Sequence, residues 1–357
     1  MWSDGQPEAV LRRGLNSSTP KIAHGFLNAI WFRDDLAALP EIAPLLIGLA
    51  KKANGTLLLA LIGLIRNAAR RDWEARLVES LLDRELSDDE ARILASAIAY
   101  QFRARGDFDA HTISRVLDRL AVSQSLNDSD HGLSFFHEAA RRYPRRMYEF
   151  MLKRVERQEM EHRLGNTGFH ALPYGCRWRL EGIEKEPDFE TLARDLFQRI
   201  VTKPEDQRWL WEELFRVVVS RTSPLTEVLI TEHLPQLDNA DDLADIASLL
   251  GWEGSLIVFR NPELTEAILR KARTLGADVQ ERITWKLIHG SGPTVRGYTN
   301  GELDPQYRYL RDEAEKAAKS HESNEILRSF YQKIVNMEIR DAERHRKEQD
   351  VDLADDW

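Results

Sequence analysis

The stretch EIAPLLIGLAKKANGTLLLALIGLIRNAA, Glu41–Ala69, decides the fold class. It reads as two apolar helices, 41–52 and 55–69, joined at Ala53-Asn54-Gly55. Asn and Gly end helices readily because both tolerate a left-handed backbone. The longest apolar run, Leu57–Ile65, would rise about 14 Å as a helix. A bilayer core of about 30 Å needs twice that. The run therefore predicts a helix buried against other helices and no membrane span.

Working outward, the same grammar repeats. A helix over 72–84 puts Leu77, Leu81 and Leu82 on one face, and Ser87-Asp-Asp-Glu90 has the spacing of a capping box. Behind it, Ile93, Leu94, Ala97, Ile98 and Phe102 form a stripe with helical and not strand periodicity. Gly106–Asp109 is a turn, and helix 110–123 follows with Ile113, Val116, Leu117 and Leu120 inward. After a polar break at Asn127–Asp130 come 133–142 and 144–160, the second opening on Pro144, where proline loses no needed hydrogen bond. Each pair consumes roughly 30–40 residues, as helical-repeat arrays do.

Downstream, helices are expected over 188–202, 205–221, 224–233, 239–250, 262–275, 277–288, 305–319 and 323–347, separated by Pro, Asn, Ser or Thr signals. The expected fold is all-α, an α-solenoid of stacked helical hairpins (HEAT- or TPR-like) with one long irregular insert. The expected organisation is a first array, 1–162; an insert or seam, 163–187; a second array, 188–288; a Gly-rich loop, 289–304; a final hairpin, 305–349; and an acidic tail, 350–357, fraying into solvent.

Composition sets outer bounds. Of 357 residues, 42% are apolar and 31% charged, ordinary for a helical protein, and 19 Gly with 13 Pro are too few for a turn-rich β protein. The single cysteine, Cys176, excludes an intrachain disulfide and a cysteine zinc site, and fits a reducing, cytoplasmic location. The opening MWSDGQPEAVLRRG has no cationic region followed by an apolar stretch, so no signal peptide is expected. A net charge of −9 disfavours nucleic acid as a partner and confines any such site to a local basic patch.

That patch is Arg141–Arg163, where Arg141, Arg142, Arg145, Arg146, Lys153, Arg154, Arg157 and Arg163 are interleaved with Tyr143, Tyr148 and Phe150. Guanidiniums at helical spacing could neutralise phosphates while tyrosines stack on bases. Glu149, Glu156, Glu159 and Glu161 in the same stretch offer the plainer reading of a face laced by Glu–Arg pairs, Glu149→Lys153 among them. Glu159-Met-Glu-His162 supplies one Glu-x-x-His, but a di-iron bundle needs a second and none exists. Cys176 with His162 and His170 raises a hydrolase or metalloenzyme near 159–176, though proximity in sequence does not assemble a nucleophile and base. Asp188 reads as a helix N-cap. No phosphate loop, dinucleotide fingerprint or nucleophile elbow is present. The expectation is no catalytic residue, no metal and no cofactor. Trp209 and Trp211 lie two apart on a helix and so face different ways, which leaves either one in the core and one as a surface anchor, or both packed against neighbouring helices. The residues chosen as partner-binding are Arg145, Arg146, Tyr148, His170, Tyr174, Trp178 and Trp211.

From the insert onward the order of short motifs is distinctive. GFHALPY (168–174) and PDFE (187–190) lead through paired helices to NPELTEAILRKA (261–272). GSGPTVRGYTNGELDPQ (290–306), LRDEAEKAA (310–318) and FYQKIVNMEIRDAE (330–343) follow. This order, over roughly residues 130–350, resembles the C-terminal helical-repeat region of large bacterial multidomain defence proteins, the STAND NTPases of the NACHT kind. The resemblance implies a sensor array that grips a foreign protein, such as a phage protein, and releases an NTPase-driven effector. The NTPase motifs are absent here, so none of that family's catalytic residues carries over. The expected function is non-catalytic protein recognition, as the sensor or scaffold part of a larger protein.

Overall fold

The computed structural model describes the chain apart from residues 1–6, 67–72, 106–108, 127–129, 173–178, 204, 220–222, 251–256, 292–297, 300–301, 304 and 356–357. The protein is all-α. The described residues divide into two compact units, Met1–Phe189 and Glu190–Trp357.

The first unit holds α1 (Pro7–Leu15), α2 (Pro20–Phe32), α3 (Asp34–Ala37), α4 (Ile42–Ala50) and α5 (Gly55–Ile65). It continues with α6 (Glu74–Leu82), α7 (Asp88–Arg105), α8 (Ala110–Leu120), α9 (Asp130–Arg142) and α10 (Pro144–Arg163). Local chemistry fixes the ends. The capping box forms as its spacing requires, with Ser87 N donating to Glu90 Oε2 at 2.9 Å and Glu90 N to Ser87 Oγ at 3.3 Å. Asp109 caps α8 by accepting from Thr112 N at 2.7 Å.

Packing runs in two layers. Helices α2, α5, α7 and α9 pack successively on one another, as do α4, α6, α8 and α10, and the layers meet through α1–α2, α4–α5, α7–α8 and α9–α10. Gly14 lies so close to the Phe26 ring that no β-carbon fits there, which lets α1 close on α2. Between the layers sit Leu27, Ile30, Leu46, Leu58, Leu61, Ile62, Leu77, Leu94 and Ile98, all essentially without solvent exposure.

Side chains also cross between helices of this unit at a regular interval. Trp73 Nε1 donates to Ala37 O at 3.0 Å over 36 residues, and Arg119 Nη2 to Leu82 O at 3.0 Å over 37. Arg84 reaches Ala50 O over 34 residues and Gln101 reaches Ile65 O over 36.

The second unit begins within α11 (Phe189–Thr202) and holds α12 (Glu205–Val218), α13 (Pro224–His233), α14 (Ala240–Leu250) and α15 (Ile257–Arg260). Then come α16 (Pro262–Leu275), α17 (Ala277–Ser291), α18 (Pro305–Ser320) and α19 (Glu325–Asp355). Helix α14 packs on α16 and α17, and α16 on α19. The interval recurs: Arg194 bonds Glu232 at 2.6 Å over 38 residues, Arg208 bonds Asp245 over 37, and Lys271 donates to Pro235 O at 3.2 Å over 36. Tyr331 of α19 is buried against Phe259 and donates to Val258 O at 2.5 Å.

Several expectations need correction. Helices α1 to α3 precede Pro40, where the sequence reading begins. Helix α19 runs on through the acidic stretch to Asp355. Within the Gly-rich segment α17 continues to Ser291, and Tyr298–Thr299 pairs antiparallel with Glu302–Leu303. The insert is packed where it is described: Phe169, Ala171, Leu172, Leu180 and Ile183 are buried, and Gly182 turns the chain at φ +90 before a 3-10 turn at Ile183–Lys185.

Candidate recognition surfaces and the Arg154 junction

The basic stretch Arg141–Arg163 occupies the end of α9 and all of α10, and each of its eight cations has a partner. Arg141 and Arg142 meet Glu138 at 3.1 and 3.6 Å. Arg145 bonds Glu149 at 3.2 Å and Asp188 at 2.8 Å, and Arg146 bonds Glu149 at 3.0 Å. Lys153 meets Asp118 at 3.5 Å, so Glu149 is not its partner. Arg157 meets Glu161 at 3.5 Å and Arg163 pairs with Glu159. Asp188 spends its carboxylate on Arg145 and stands immediately before α11.

Arg154 differs from the other seven. It is wholly buried, and among the described residues no carboxylate bonds it while five carbonyls do. Nη1 donates to Leu120 O at 2.7 Å, Ser123 O at 2.8 Å and Ala121 O at 3.2 Å, all at the end of α8. Nε donates to Ala171 O at 2.7 Å and Nη2 to His170 O at 2.5 Å. The carbonyls that end a helix lack intrahelical donors and carry its negative pole, so a guanidinium is well suited to them. Phe169 lies between Arg154 and Arg157, each guanidinium carbon 4.5 Å from its ring centre. Gln158 Oε1 accepts from Ala171 N at 2.6 Å, and His170 N donates to Gln124 O at 2.9 Å. Burial pushes the Arg154 pKa down to about 9, with the Arg157 charge acting the same way and Asp88 opposing it. The group still carries its charge at neutral pH. This junction fastens the start of the insert to α8 and α10.

The residues chosen from sequence are scattered. Arg145 and Arg146 reach solvent while ion-paired, and Arg145 stacks on Tyr148 at 5.7 Å. Tyr148 is buried and cannot anchor a partner. His170 is exposed, but its backbone is held at both N and O. Tyr174, Cys176 and Trp178 lie outside the described residues. Trp211 is fully buried, faced by Arg199 at 4.6 Å and Lys203 at 5.5 Å, so the anchor role assigned to it fails. Trp209 is the exposed member of that pair, and Trp285, stacked on His289 at 5.4 Å, is a second exposed tryptophan. The signal was available, since Trp211, Leu214, Phe215 and Val218 form one buried stripe at helical spacing.

The metal reading finds no support at the residues it named. Glu159 is buried against Arg163 while His162 is exposed, and no group of three possible metal ligands occurs among the described residues. No helix among the described residues is long and apolar enough to cross a membrane.

A polar ladder crosses α12, α14 and α17. Arg208 meets Asp242 at 2.9 Å and Asp245 more closely, Lys286 meets Asp245 at 3.9 Å, and Arg216 meets Glu212 at 3.4 Å. Burial holds the Glu212 carboxyl above its usual pKa, only partly offset by Arg216. A raised carboxyl pKa means that ionised Glu212 costs stability at neutral pH, and the cost vanishes as pH falls through the carboxylate range. Glu212→Gln is therefore expected to raise the melting midpoint at pH 7 by about 2–4 °C, the shift about 1 kcal/mol gives a unit of this size. The gain over the parent protein should disappear under acid. A variant less stable at pH 7 would show that the ion pairs outweigh the burial.

No protein-family model, no curated protein and no solved structure matches this chain.

Proposed function

We propose that the chain is a non-catalytic protein-recognition module, an α-solenoid in each of its two units. The observation that carries this reading is the interval of 34 to 38 residues at which side chains bond from one helix to another further along the chain. Nearest-neighbour stacking of this kind produces broad faces on which partners dock. Exposed aromatic residues on those layers, Phe32, Tyr100, Trp209 and Trp285, supply the side chains that interfaces favour. The nucleic-acid alternative is weakened because all eight cations of Arg141–Arg163 are spent within the protein, and a phosphate would have to displace a carboxylate or carbonyl from each. The resemblance to defence-protein sensor arrays extends the proposal to a cytoplasmic sensor that grips a foreign protein on behalf of an NTPase or effector.

Display of folded protein fragments against the immobilised chain tests the reading, beside anisotropy titrations with DNA and RNA oligonucleotides at about 50 mM salt. Selective recovery of fragments with no oligonucleotide binding is expected. Oligonucleotide binding that weakens steeply with salt, in the absence of any fragment, would sink it.

A further inference from the structure

The recognition reading becomes specific on the outward face of α2, α5 and α7. These three helices pack in succession, and one step of 34 residues relates their exposed positions. The step takes Phe32 to Arg66 and Arg66 to Tyr100, and it takes Gly25 to Leu59 and Leu59 to Ile93. Phe32 is 82% exposed, Tyr100 46%, Ile93 40% and Leu59 38%, with Ile22 on the same helix as Gly25 at 48%. The register is realised where the Arg66 guanidinium lies 5.9 Å from the Tyr100 ring centre. Bulky apolar side chains thus recur on the exposed side of three successive helices.

Charge decides what fits there. Arg66 and Lys21 are exposed on this face, and neither has an acidic partner among the described residues. Of the three acids at the start of α7, Asp89 is bonded to Arg92, Asp88 accepts from Gln124 N and Glu90 from Ser87 N. A cation with no acidic partner among the described residues, beside exposed apolar rows, is complementary to a segment that carries apolar anchors and a carboxylate. Two cations are far too few for a nucleic-acid backbone, whose binding requires many neutralised phosphates.

We infer that the α2–α5–α7 face binds an acidic amphipathic segment of a partner protein, its apolar side chains against Phe32, Leu59, Ile93 and Tyr100 and a carboxylate against Arg66. This inference rests on the recognition reading and adds the site and the chemistry of the ligand.

Selection of a random twelve-residue peptide library displayed on phage, against the whole chain, tests it. Enriched peptides should carry at least two large apolar residues and an acid. Their affinity should fall more than about tenfold in Phe32→Asp and in Tyr100→Asp, the loss expected at an interface hot spot. Both positions are exposed, so the melting curves should match the parent protein. Arg66→Glu should turn the preference from acidic to basic peptides. Peptides that bind these variants as well as the parent would overturn the face while leaving recognition standing, and so would an unchanged preference in Arg66→Glu. Failure to enrich any peptide would overturn this inference, while the recognition reading stands or falls on the display of folded fragments. A dimer in sedimentation that Phe32→Asp makes monomeric would overturn the inference in favour of a second copy as the occupant.

Discussion

Leu61→Asp is expected to unfold the first unit. Leu61 is completely buried on α5, at the centre of a layer in which α5 packs on both α2 and α7. Truncating such a leucine alone costs about 2–5 kcal/mol. A carboxylate left there without a partner adds several kcal/mol more, or protonates at a similar cost. Folded units of this size hold only about 5–15 kcal/mol in total. In a nearest-neighbour stack the loss does not stay local, because α2 and α7 each lose a supporting surface at once. Circular dichroism should therefore show a large loss of helix at 25 °C, and hydrogen exchange should place that loss in residues 7–189. A soluble, fully helical variant with the parent's melting curve would refute this placement of Leu61.

Arg154→Met is expected to give the second-largest effect. Methionine retains the apolar stem but leaves five carbonyls without their donor, three of them at the end of α8. Each buried polar group left unsatisfied costs about 1–3 kcal/mol, reduced where water can enter. A net loss of about 3–5 kcal/mol follows, in the range seen when one partner of a buried charged contact is removed. Arg154→Lys should recover little, since one ammonium cannot span carbonyls on two segments as a planar guanidinium does. The local readout is the exchange of the His170 and Ala171 amides, held by Gln124 O and Gln158 Oε1. Both should exchange much faster in either variant. Unchanged exchange at these two amides in Arg154→Met would show that Arg154 does not fasten the insert.

The sequence made the helices legible for identifiable reasons. Ser87 and Glu90 announce α7 through a capping box that forms as written. Pro144, Pro224 and Pro262 open α10, α13 and α16 at the position where proline costs no hydrogen bond. What escaped is what depends on contacts distant in sequence. Arg154 is one arginine in a run of arginines, and nothing in its neighbourhood distinguishes the one that turns inward. The Trp209 and Trp211 pair was divisible in principle, yet separation by two residues gives only the angle between them and not which one faces the core. The helices before Pro40 carry less local announcement, since α2 is rich in apolar residues but Thr19 before it makes no side-chain cap bond. The acidic end of α19 looks like a solvated tail by composition, although charge alone does not forbid a helix that is already nucleated.

The regular interval of the cross-helix bonds has a consequence for how this chain tolerates change in length. Trp73, Gln101 and Arg119 each hold a carbonyl about one helix pair behind them, so the register between pairs is set by directional bonds as well as by apolar area. A whole pair added or removed returns every donor to an equivalent acceptor. A change of half that length moves each helix into the opposite layer and parts all the donors from their carbonyls together. Length in this protein is therefore quantised, and its variants in nature should differ by complete pairs or by residues confined to the turns.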